Sequence, residues 1–176
     1  MSDPSNVHNR QSIRLKGYDY SQAGAYFITI CTQGRECLFG QVVDGEMHLS
    51  EIGQIAQKQW NQIPARFENV ELGPFVVMPN HHHGILIVRA GLAPALGQPQ
   101  GLPLPKTIGD IVGAYKSLVA NECIKIFKTK NQFMGKLWQR NYYEHIIRDE
   151  QSYQNIAAYI LNNPRQWEAD RLFKAE

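Results

Sequence analysis

Apolar residues fall into two alternating patterns along this chain. AYFITICTQ is rich in β-branched and aromatic residues and predicts a strand, and CLFGQVVDGEMHL predicts a hairpin, with Asp44-Gly45 turning between two short extended pieces. The period then lengthens. Ser50 stands at an N-cap position, and Ile52, Ile55, Ala56, Trp60 and Ile63 recur at helical spacing until Pro64. VELGPFVVMPNHHHGILIV predicts two apolar strands turning at Pro79-Asn80. After AGLAPALGQPQGLPLPK, helical spacing resumes at Ile108, Ile111, Val112, Tyr115, Leu118 and Val119. GKLWQRNYYEHII is aromatic and extended, and DEQSYQNIAAYILNNP predicts a last helix closed by Asn-Asn-Pro. Hairpins and long helices without regular βαβ alternation imply an α+β fold, an antiparallel sheet with helices packed on one face and the other face free for a substrate.

The 176 residues fit a single domain, 1–176, with 1–12 as a loose polar lead-in and 90–106 as a Pro/Gly-rich surface loop. Hydrophobic residues at 43%, charged residues at 19% and a mean hydropathy of −0.38 describe a globular chain. No apolar run approaches the ~20 residues of a membrane span, and MSDPSNVHNRQ lacks the apolar core of a signal peptide. A cytoplasmic location is therefore expected. Cys31, Cys37 and Cys123 lack CxxC spacing and read as small hydrophobes rather than a disulfide framework or a zinc site. A net charge of +2 and a pI near 8.4 exclude a protein that coats duplex DNA by charge alone. Any nucleic-acid contacts must then be local.

The chemistry concentrates in MPNHHHGILIV. Successive strand residues point to opposite faces, so His81 and His83 share one side and His82 takes the other. On the last helix Asn155, Tyr159 and Asn163 stand at i, i+4 and i+8, beside an apolar face of Tyr153, Ile156, Ala157 and Ile160. If that stripe packs on the histidine strand, two imidazoles, an amide oxygen and a phenol converge. A hard divalent cation held by such a set could polarise a phosphodiester as a Lewis acid. A tyrosine beside it, otherwise a poor nucleophile with a pKa of about 10, could then attack phosphorus. Asn163 before Pro164 also reads as a C-terminal cap in left-handed geometry.

With its His-x-His strand in VVMPNHHHGILIV, followed by WQRNYYEHIIRDE and YILNNP, the chain resembles the single-tyrosine HUH transposases, and within them the REP-associated tyrosine transposases. The resemblance implies an RRM-like, ferredoxin-like domain. It also implies a metal-dependent single-stranded DNA endonuclease and strand transferase acting beside hairpin or repeat DNA through a 5′-phosphotyrosine. By the same resemblance His81 and His83 match the metal-binding histidines, Tyr159 the nucleophile, and Asn163 the residue completing the metal site, often glutamine in mobile relatives. The central motif position, usually aliphatic or aromatic, is His82 here; the i, i+2 geometry favours His81 with His83. Mg²⁺ or Mn²⁺ is expected from ligand hardness and the absence of a cysteine or carboxylate third ligand.

Arg14 and Lys16 flank Tyr18 and Tyr20, a mixture suited to gripping a backbone and stacking unpaired bases, and Lys116 and Arg140 are further candidate DNA contacts. The expected partner is single-stranded DNA with a hairpin or palindromic repeat, bound by a monomer or a homodimer, which would bring the protein to the nucleoid. Tyr142 and Tyr143 are rival nucleophiles. Two other functions stay open: a noncatalytic binder of single-stranded nucleic acid, and a metal phosphodiesterase that activates water.

Overall fold

The structure, a computed structural model, describes residues 23–90 and 107–174. Four strands form one antiparallel sheet: β1 (Gly24–Cys31), β4 (Val70–Met78), β5 (His81–Val88) and β6 (Tyr143–Ile147), in the order β4-β5-β1-β6. β2 (Gly40–Val43) and β3 (Glu46–Leu49) make a separate two-stranded hairpin between β1 and the first helix. Asp44 and Gly45 both take positive φ, 51° and 76°, the backbone that a two-residue Asp-Gly hairpin turn requires. The helices are α1 (Glu51–Asn61), a short α2 (Ile63–Arg66), α3 (Ile108–Thr129) and α4 (Glu150–Asn162). Without the hairpin the chain reads β-α-β-β-α-β with the fourth strand beside the first, which is the ferredoxin-like arrangement.

Local chemistry starts and stops these elements where the pattern places them. The Ser50 hydroxyl accepts from the Gly53 N–H at 3.1 Å and donates to the Leu38 carbonyl, so it caps α1 and ties it to the preceding loop. Thr107 and Asp110 form a reciprocal capping box at the start of α3. Asp149 caps α4 through the Ser152 N–H at 2.7 Å.

Sheet alternation sorts the apolar residues into two clusters. Tyr26, Ile28, Ile30 and Leu86 point to the face covered by α1 and α3, with Trp60, Tyr115 and Val119 completing the main core. Phe27 and Ile85 point the other way and pack with Ile147, Ala157 and Ile160. α1 and α3 share one face, as the sequence implies. The opposite face is not left free: α4 lies across it, and this brings the YILNNP segment over the histidine strand. Among the described residues, no helix is long and apolar enough to cross a membrane.

Candidate metal and tyrosine site

Register alone brings three elements together at one end of the sheet. Cys31 of β1 pairs with His81, Thr29 pairs with His83, and on its other side Thr29 pairs with Tyr143. α4 descends on the same face and ends beside them. His81 and His83 come side by side, with ring centroids 4.4 Å apart. His82 projects to the opposite face, fully buried with its ring 4.1 Å from Trp60 and stacked near Phe75. Strand alternation thus removes His82 from the histidine pair.

Asn80 settles the chemistry of His81. Its Nδ2 donates to the carbonyls of Leu172 at 2.8 Å and Arg35 at 3.3 Å, which fixes the amide orientation. Its Oδ1 can then only accept, and it lies 2.8 Å from His81 Nδ1, so that nitrogen carries the hydrogen. His81 Nε2 is left with a lone pair, buried and without a hydrogen-bond partner among the described residues. On His83, Nδ1 lies 2.8 Å from the Thr29 hydroxyl and Nε2 lies 3.1 Å from the Tyr159 hydroxyl. Partners on the outer nitrogens that orient both rings are what metal-binding histidines require.

Past α4 a 3-10 helix, Pro164–Ala169, leads to Asp170, which periodicity could not single out. Its Oδ2 accepts from the Tyr159 hydroxyl at 2.9 Å and from Asn163 Nδ2 at 2.8 Å, while its Oδ1 accepts from the Leu172 N–H. His81, His83 and Asp170 offer ligand atoms within 4.8 Å of one another. Asn163 is not a left-handed cap: its φ is −56° and its ψ −41°, continuing the helix, and its buried Oδ1 has no partner among the described residues. The expectation that no carboxylate stands at the site is corrected by Asp170. Two imidazole nitrogens, a carboxylate and an unpaired amide oxygen fit a divalent cation.

Burial holds the histidines neutral and so ready to ligate. It lowers His81 to about 4, against the opposing pull of Asp170 and Asn163, and lowers His83 well below the usual range. Tyr159 moves the other way, up to about 12, because of burial and then the Asp170 carboxylate. Its phenol needs positive charge nearby before it can ionise near neutral pH. The hydroxyl opens on a cleft of about 390 Å³ lined by Phe27, His83, Tyr143, Tyr159, Asp170 and Arg171 among others.

Of the remaining candidates among the described residues, Tyr143 borders the cleft and the others lie away from it. Asn155 is exposed and accepts from Gln151 rather than joining the cluster. Tyr142 packs against the main core, whereas Tyr143 is half-exposed on the cleft wall, edge-on to Phe27. Lys116 Nζ donates to the carbonyls of Gln139 and Arg140 at 2.7 and 3.2 Å, stapling that segment to α3, and Arg140 itself is exposed. Arg14, Lys16 and Tyr18 lie outside the described residues. Thr29, Asn80, Asp170 and Arg171 were not singled out from the sequence; the Pro-Asn turn before the histidines was the one signal for Asn80.

No family model matches the chain. It is 43% identical over 175 residues to an uncharacterized protein of Haemophilus influenzae, covering 95% of this chain and 94% of that one. Among solved structures, the REP-associated tyrosine transposase bound to a REP hairpin superposes with a TM-score of 0.59 at 19% identity, covering 85% of this chain and 71% of that one.

Proposed function

Because the chain belongs to one family with the Haemophilus influenzae protein and has the fold of the REP-associated tyrosine transposase, we propose that it cuts and rejoins single-stranded DNA beside a hairpin. The observation that carries this reading is the Tyr159 hydroxyl, 3.1 Å from His83 Nε2 and 2.9 Å from Asp170 Oδ2, at the mouth of an open cleft. The ring packs on Phe27 and His83 while the residue stays 37% exposed, so the phenol stands at the edge of the His-His-Asp cluster and not in the core. The hairpin substrate follows the solved neighbour, which is bound to a REP hairpin.

His81, His83 and Asp170, with Asn163 Oδ1 beside them, would hold Mg²⁺ or Mn²⁺. When bound, the cation supplies Lewis-acid charge that favours both an ionised phenol and a polarised phosphodiester. Tyr159 is the nucleophile: its oxygen bonds to phosphorus, the bond from phosphorus to the 3′-oxygen breaks, and the released 3′-oxygen takes up a proton. Asp170 Oδ2, already accepting the phenolic hydrogen, is placed to receive that proton as the new bond forms. Asn163 orients Asp170 through Nδ2, and Thr29 and Asn80 orient the imidazoles. The resulting 5′-phosphotyrosine keeps the energy of the broken bond, so a second 3′-OH can reverse the step on another end.

The test is a denaturing gel of labelled hairpin DNA with single-stranded flanks, drawn from a pool of palindromic repeats and incubated with Mn²⁺. A protein-linked band is expected with the parent and absent with Tyr159→Phe or with chelator. Cleavage that survives Tyr159→Phe without an adduct would instead make the protein a water-activating metal phosphodiesterase. Shifted but uncut DNA throughout would make it a noncatalytic binder.

A further inference from the structure

Between Glu122 and Glu144 the chain carries five basic residues, Lys125, Lys128, Lys130, Lys136 and Arg140, and no acidic one. For a protein of net charge +2 this is a marked local excess. Lys125 and Lys128 lie one turn apart on the side of α3 away from buried Cys123, and only Lys130 of the five forms an ion pair among the described residues, at 2.8 Å to Glu51. In the middle of the stretch stands Phe133, 93% exposed.

The exposure of Phe133 is built by the backbone. Two residues past the end of α3, Asn131 takes left-handed geometry, φ 52°, with the Gln132 N–H donating back to the Phe127 carbonyl at 2.8 Å and the Asn131 N–H to that of Lys128. This closure turns the chain sharply off the helix axis. Six residues on, it is pinned again: Leu137 and Trp138 are buried, the Gln33 N–H donates to the Leu137 carbonyl, and Trp138 Nε1 donates to the Lys116 carbonyl. Loop 131–136 is therefore fixed at both ends and holds its one large aromatic ring in water. The far anchor also fixes where the loop sits, because the Gln139 N–H donates to the carbonyl of Cys31, the residue paired with His81. The far end of the loop is thus anchored beside the end of the sheet that carries the histidines, and the chain runs on from there into Tyr143 on the cleft wall.

We propose that this basic loop is a second DNA-contact surface, in which Lys125, Lys128, Lys136 and Arg140 hold the phosphate backbone and Phe133 stacks on an unpaired base of the strand flanking the hairpin. An exposed ring among cations is the combination that binds single strands without reading sequence, since every base has a π face and every nucleotide a phosphate. The proposal rests on the reading of hairpin-flanked DNA as the substrate.

The test measures binding by fluorescence anisotropy, with chelator present, on two DNAs sharing one hairpin: one blunt, one with single-stranded flanks. Phe133→Ala should weaken binding of the flanked DNA about 5- to 100-fold and leave the blunt hairpin unaffected, with Phe133→Trp restoring affinity. Replacing Lys125, Lys128 and Lys136 together by glutamine should weaken both DNAs and reduce the slope of log affinity against log salt by about 2. Unchanged melting temperatures are expected, because none of these side chains is buried. Parental affinity for the flanked DNA in Phe133→Ala, an undiminished salt slope in the triple variant, or no binding by the parent to either DNA would each overturn the proposal. Adduct formation by the parent is scored separately. An adduct with unaffected variants discards the loop and keeps the nuclease, whereas weakened variants without any adduct keep the loop and discard the nuclease.

Discussion

Asn80 and His82 bracket the site and make opposite predictions. Asn80 is fully buried, holds the hydrogen on His81 Nδ1 and satisfies two carbonyls. Asn80→Ala frees His81 to change tautomer and orphans those carbonyls. Mn²⁺ affinity measured by calorimetry should fall about 10- to 100-fold, with a loss of ~1–3 kcal/mol in urea unfolding. Parental metal affinity in that variant would contradict the positioning role. His82 is as deeply buried, but both its nitrogens lack partners among the described residues, and desolvation lowers it to about 3. An unfolded histidine titrates near 6.5, so below that pH the unfolded chain binds the proton that the folded chain refuses. Stability contributed by neutral His82 is therefore lost as pH falls from about 6.5, by up to ~1.4 kcal/mol per pH unit. His82→Leu should flatten that slope by about this amount in metal-free unfolding at pH 4 to 7, and leave stability at pH 7 equal or higher, since no hydrogen bond is lost. An unaltered slope would show that the imidazole is solvated.

At the scale of elements, the close approach of β5 to α1 is made by Gly84. A Cβ there would stand 2.5 Å from Trp60 Cζ2, and Trp60 is fully enclosed by the main core. Gly84→Ala should cost ~1–3 kcal/mol of unfolding free energy through overpacking, checked by denaturant unfolding; no change would mean that Trp60 can swing aside. The individual elements were largely legible. Ser50, the Asp44-Gly45 turn and the period of Ile108, Ile111 and Val112 are local signals, decided within a few residues of themselves. Two features were not. That α4 crosses the face opposite α1 and α3 depends on which apolar stripe meets Phe27 and Ile85, a contact between distant parts of the chain. Asp170 comes after the short 3-10 helix that starts at Pro164, in a stretch without apolar periodicity, and nothing around it in the sequence marks it as the carboxylate that reaches Tyr159.

For the whole molecule, sheet order turns separate motifs into one site. Placing β5 beside β1 and β1 beside β6 puts His81, His83, Thr29 and Tyr143 at one end, and α4 lowers Tyr159 onto them. The histidine pair and the tyrosine were readable from strand and helix periods, and their convergence was conditional on how α4 packs. The tautomer of His81, the carboxylate of Asp170 and the loop that presents Phe133 needed the tertiary structure, because each rests on a partner more than a turn of helix away or on a bend in the backbone.

The most direct measurement is to find which residue carries the DNA. The protein-linked product would be digested with nuclease and protease, and the peptide bearing the residual nucleotide sequenced by mass spectrometry. The modification should lie on Tyr159, within QNIAAYILNNPR, with a phosphate joining the phenolic oxygen to the 5′ end of the DNA. A nucleotide on Tyr143, which lines the same cleft, or on Tyr142 would contradict the account and move the nucleophile from the helix to the strand.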